Sequence, residues 1–122
     1  MKRQLATALP TVLFSASMLI LSATPWAADP AAGAAGWLKE YPQADGSKPR
    51  SCTTCHGRDL TQPGQHANTG KVIEPLAPSV NPQRLTDAAK IEKWLRRNCR
   101  WTIGRECTAD EKADFIAYIK TQ

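Results

Sequence analysis

Apolar positions recur with helical spacing in the last third of the chain. Ile91, Trp94, Leu95 and Asn98 fall at i, i+3, i+4 and i+7, one face of a helix, and an amide stands in line with the apolar stripe. Thr86 is placed to cap that helix. A second helix is signalled by Thr108-Ala-Asp-Glu111, a capping-box pattern, and carries Phe115, Ile116 and Ile119 on one side. Nearer the front, Pro30 to Tyr41 reads as a short helix that starts on a proline, which suits a first turn. Gly33 and Gly36 weaken its propensity but would let another helix cross closely. Between these segments the periodicity lapses. Residues 42–50 are polar and turn-forming. Residues 61–83 carry Pro63, Gly64, Gly70, Pro75, Pro78 and Pro82, and an irregular stretch of that length usually wraps something. No strand signal competes, so the predicted fold class is all-α, with short helices and long loops.

The first 28 residues stand apart. Lys2 and Arg3 precede an apolar run through Val12, Leu13, Phe14 and Met18 to Leu21, which closes on Pro25-Trp26-Ala27-Ala28. This layout predicts a signal peptide over 1–28, cleaved after Ala27 or Ala28, and a single domain over 29–122. A permanent anchor helix fits less well, because Pro10 and several Ser and Thr interrupt a span near the minimum length. Export places the protein in the periplasm, where thiols tend to be oxidised or to carry a covalent ligand. Without the leader, 14 Lys and Arg face 11 acids, a formal +3. The one dense basic zone is Lys93, Arg96, Arg97, Arg100 and Arg105. It reads either as a solvated helix face or as a docking patch for an acidic redox partner protein, and nucleic acid is not an expected partner.

Four cysteines remain. Cys52-Thr53-Thr54-Cys55-His56 matches the attachment sequence of c-type haem. Two thiols at this spacing add across the two vinyl groups on one edge of the porphyrin, and the adjacent His56 reaches the iron from one face. A thioredoxin-like pair shares Cys-x-x-Cys but needs a βαβ pattern that is not evident. Zinc would want paired ligand spacing, and seven residues separate Cys99 from Cys107. One covalent haem c is therefore the predicted cofactor, with zinc and a pair of disulfides as rivals.

The second axial position is open to several residues. Methionine, the common choice in small electron carriers, occurs only as Met1 and Met18 in the leader. His66, a lysine, Asn98 and an open site remain. His66 lies ten residues after His56 in a loop, and would give a simple bis-histidine electron carrier. Asn98 can alternatively be a helix C-terminal residue in the left-handed conformation.

Several segments together resemble the sphaeroides haem protein (SHP) type of monohaem cytochrome c. They are Ser51-Cys-Thr-Thr-Cys-His-Gly57, His66-Ala-Asn-Thr-Gly-Lys71, Ile73-Glu-Pro-Leu-Ala-Pro-Ser79, Asn81-Pro82, Trp94-Leu-Arg-Arg-Asn-Cys99 and Gly104-Arg-Glu-Cys107. The Asn-Cys pair with a second cysteine soon after is the distinguishing part. The resemblance implies a small class I-like cytochrome c fold wrapped around one haem. It implies His56 as proximal ligand, Asn98 as distal ligand and a Cys99–Cys107 disulfide. It also implies electron exchange, binding of oxygen, nitric oxide or carbon monoxide on ferrous haem when Asn98 is released, and a dihaem cytochrome c and a membrane cytochrome b as partners. Residues 29 to 50 look short for the family. A turnover enzyme is disfavoured, because His66 is the one group beyond the proximal ligand that shuttles protons near neutral pH. Oxygen or peroxide reduction would be a side activity.

Overall fold

The computed structural model describes residues 27–122, so the leader read at 1–28 lies outside the described residues except for Ala27 and Ala28. In chain order the elements are α1 (Pro30–Leu38), α2 (Thr53–His56), β1 (Gly64–Gln65), β2 (Val72–Ile73), α3 (Ala88–Thr102) and α4 (Ala109–Lys120).

The first and last helices pack against each other, and the glycines of α1 explain how. A Cβ on Gly33 would run into the carbonyl of Asp114, and one on Gly36 would stand 2.9 Å from Cε1 of Phe115. Glycine therefore sets the closeness of the α1–α4 crossing. Asp29 caps α1 by accepting from the Ala31 N–H (2.8 Å), and its own N–H donates to Oδ1 of Asp114 (2.7 Å). Trp37, only 4% exposed, fills the seam with its ring 6.3 Å from that of Phe115 and 5.9 Å from that of Tyr118. Burying such aromatics contributes on the order of 2–3 kcal/mol each.

The helix ends depart from the sequence reading in two places. α1 stops at Leu38 and does not reach Tyr41, because Pro42 disfavours the helical conformation for the residue before it. Tyr41 pairs instead with Arg50 in an antiparallel bridge (2.7 and 3.0 Å). α3 is capped by Asp87, whose carboxylate accepts from the Lys90 N–H, whereas the Thr86 hydroxyl donates to the carbonyl of Gln83. The capping box of α4 forms as expected between Thr108 and Glu111.

The irregular stretch between α2 and α3 contains a short antiparallel hairpin, pairing Gly64 with Ile73 and Gln65 with Val72. Two residues per strand are too few to leave a period-2 pattern in the sequence. Gly64 is needed there, since a Cβ would collide with the Cys55 carbonyl. The same stretch supplies core: Leu60 and Ala77 are fully covered and joined by the Ala77 N–H to Leu60 carbonyl bond (2.9 Å).

Candidate functional site

One turn of helix presents the attachment residues. The Ser51 N–H donates to the Thr54 hydroxyl (3.0 Å), the Thr54 N–H donates to the Ser51 carbonyl (3.1 Å), and the Ser51 and Thr53 hydroxyls share a 2.6 Å bond. The two threonines between the cysteines thus start α2. Gly57, at φ 71°, ends it immediately after His56. Cys52, Cys55 and His56 are thereby set on one wall of a cavity of about 1010 Å³. Asn98 lines the same cavity, at the end of the α3 face formed by Ile91, Trp94 and Leu95, which line it too. Trp37 of α1 and Phe115 of α4 complete the lining from the helix crossing. The volume is at the upper end for a cofactor site, and the lining is mainly apolar with a few converging polar groups, as such sites require.

Electrostatics separate the possible chemistries. Burial first, and then the Arg84 guanidinium, lower the pKa of His56 to about 4, so near pH 7 the imidazole is neutral with a lone pair for a metal. Burial pushes the Cys52 thiol up to about 12. A dithiol oxidoreductase needs the opposite, a lowered thiol. Zinc loses two of its four candidate sulfurs, because Cys99 and Cys107 are joined in a disulfide with Cα atoms 5.6 Å apart. Covalent attachment through the two free thiols, Cys52 and Cys55, is the chemistry left to the motif.

The disulfide ties the last turn of α3, just beyond Asn98, to the residue before the cap of α4. Both of its cysteines are buried. The intervening loop is braced by an Arg100–Glu106 ion pair and by a two-pronged Arg105–Glu111 pair (2.8 Å each). The Arg105 hydrogen bond is the main reason the Glu111 carboxyl drops to about 2.

His66 sits at the hairpin tip and also borders the cavity. Its Nδ1 accepts from the N–H groups of Asn68 (3.2 Å) and Thr69 (3.3 Å), and the Ala67 N–H points at the Cys55 sulfur (3.4 Å). In the basic zone, Arg96, Arg100 and Arg105 face Glu92, Glu106 and Glu111. Lys93 and Arg97 lie over the Trp94 ring (5.5 and 5.1 Å to its centroid). Local pairing therefore accounts for most of that charge. Sequence reasoning missed Trp37, 5.5 Å from the His56 ring, and Arg84. Neither belongs to a motif, and only the folded loop brings Arg84 to the cavity.

Residues 23–119 match the family described as a domain of unknown function (DUF1924). The structure of oxidised SHP, an oxygen-binding cytochrome c, superposes with a TM-score of 0.70 at 50% identity, over 78% of this chain and 83% of that one. The chain belongs to the SHP type of cytochrome c. Cytochrome c-type protein SHP of Cereibacter sphaeroides is 58% identical over 79 residues, which is 63% of this chain and 60% of that protein. Cytochrome c'' of Methylophilus methylotrophus is 41% identical over 75 residues, 62% of this chain and 52% of that protein. The chain thus spans about three-fifths and one half of the length of these two curated relatives. The crystal structure of oxidised cytochrome c'' matches at 35% identity and a TM-score of 0.70, covering 79% of this chain and 77% of that one. SHP-type membership makes this a mainly helical, class I-like monohaem cytochrome with covalently bound haem c.

Proposed function

We propose that this SHP-type cytochrome is an exported, periplasmic protein that exchanges single electrons with a redox protein and binds a diatomic gas at a site gated by Asn98. Cys52 and Cys55 are the thioether residues, His56 is the proximal ligand and Asn98 the distal one. The haem supplies a one-electron couple and, when ferrous, affinity for oxygen, nitric oxide or carbon monoxide. The observation that carries the reading is the placement of Asn98 on the cavity face of α3, with its neighbour Cys99 bridged to Cys107.

An amide oxygen is a hard, neutral donor, better matched to ferric than to ferrous iron. Asn98 therefore holds in the oxidised protein and lets go after reduction, in the state that takes up gas. The disulfide beyond it limits how far it travels. SHP is known as an oxygen-binding cytochrome c, and cytochrome c'' has been studied for haem-ligand detachment, which supports the same behaviour here. His66 is less suited, because two backbone amides donate to its Nδ1, which leaves the ring proton on Nε2, the nitrogen that would have to face the iron.

Optical spectra of oxidised and reduced protein, with and without carbon monoxide, test this function. The ferrous protein is expected to be five-coordinate and to shift on adding carbon monoxide. A six-coordinate ferrous spectrum untouched by the gas would identify a bis-histidine carrier instead.

A further inference from the structure

Arg84 lies on the cavity wall, on the loop that leads into α3. Its Nε donates to the carbonyl of Pro75 (2.9 Å) and its Nη2 to the carbonyl of Glu74 (2.7 Å). The Asn81 side chain donates to the same Pro75 carbonyl (3.1 Å), so the loop 81–84 is pinned to 74–75. The next residue, Leu85, has φ 57°, a conformation that a bulky L-residue adopts only when its surroundings hold it there. Backbone strain at Leu85 thus accompanies the fixing of Arg84. Both hydrogen bonds of the guanidinium go to neutral carbonyls, and among the described residues no carboxylate lies within 4.0 Å of it. This contrasts with Arg96, Arg100 and Arg105, each of which faces a glutamate. A cation is thus anchored in the cavity wall by neutral carbonyls, next to a residue in a left-handed conformation.

We propose that Arg84 is a positioning charge for the redox reaction: a fixed guanidinium on the cavity wall that raises the haem reduction potential and so favours the gas-binding ferrous state. On the function proposed above, Cys52, Cys55 and His56 hold the haem on which Arg84 acts, and Arg84 acts through its charge. Reduction adds one electron, delivered by a one-electron donor, and Arg84 keeps its proton throughout. A nearby positive charge stabilises the product of that step relative to the reactant, and the low-dielectric surroundings screen it less than water would. Arg84 lines the same cavity as Cys52, His56 and Asn98. A positive charge on that wall disfavours ferric relative to ferrous iron. Coupled to Asn98 release, Arg84 would set how readily the latch opens.

Dithionite titration of holoprotein with covalent haem tests the proposal. Arg84→Gln removes the charge while retaining a hydrogen-bond donor, and should lower the midpoint. The ferrous-to-ferric ratio at a fixed applied potential should fall on the order of tenfold, the scale of one unit charge at about 10 Å in a medium of ε about 20. Arg84→Lys keeps the charge and should stay near wild type. Should the Gln variant fail to accumulate, Gln83→Lys adds a charge on the same cavity wall and should raise the midpoint. An unmoved midpoint in Arg84→Gln, an equal fall in the Lys and Gln variants, or no rise in Gln83→Lys when it stands in for the Gln variant, would overturn the proposal. The ferric and ferrous spectra of the same samples report attachment and the Asn98 latch separately, so failure here is distinguishable from failure of the proposed function.

Discussion

The α1–α4 pair and the α3 wall of the cavity are built on opposite principles. In the first, two glycines let α1 approach the backbone of α4 and aromatic rings fill the seam, so helices far apart in sequence pack closely. The second turns an apolar stripe towards a cavity and leaves its one amide, Asn98, on the surface of that cavity. A disulfide and ion pairs, not close packing, hold its far end. The difference separates rigidity from function. The α1–α4 crossing holds Trp37 beside the His56 ring, with centroids 5.5 Å apart, whereas the α3 face carries Asn98 on a tethered helix end.

Breaking the frame should have the largest effect on stability. Gly33→Ala drives a Cβ into the Asp114 carbonyl, and because the obstacle is backbone, it cannot step aside as a side chain would. Overpacking of this kind costs about 3 kcal/mol. A chemical denaturation midpoint shift of that size is expected, and a wild-type midpoint would show that the crossing tolerates slack.

Opening the tether should cost somewhat less and act on ligand kinetics as well. The Cys99–Cys107 bridge has a sequence separation of 8, and a loop of that size is worth roughly 2.5 kcal/mol on the chain-entropy model. The Cys99→Ser, Cys107→Ser double variant should lose about that much stability. It should also change the carbon monoxide association rate in flash photolysis, since the end of α3 gains travel. An unaltered rate would dissociate the bridge from the latch.

How much could be read from the sequence follows the same division. The haem motif, the α3 stripe and the capping box are local patterns, fixed by spacing over fewer than ten residues, and they appear where expected. Gly33 and Gly36 were legible as permission for a close crossing, though not with which helix. Arg84 and Leu85 were not legible at all. Their roles depend on the loop 74–85 folding back on itself, and a proline-rich segment carries no periodicity from which to read such a contact. The hairpin was missed because its strands are too short to alternate. The Asp87 cap was missed because Thr86 and Asp87 are both good capping residues and tertiary geometry chose between them. The strongest sequence inference about the site, that Asn98 faces the cofactor, required the resemblance. Pattern alone left it among several candidates.

The central claim is that Asn98 holds the ferric state and yields in the ferrous one. Asn98 lies outside the attachment motif, so Asn98→Ala should leave the haem covalently bound through Cys52 and Cys55. The informative readout is the ferric electronic absorption and electron paramagnetic resonance spectrum of that variant beside wild type. A change of spin state confined to the oxidised form, with matching ferrous spectra, is the predicted result. Identical ferric spectra would contradict the account and leave His66 as the leading distal ligand.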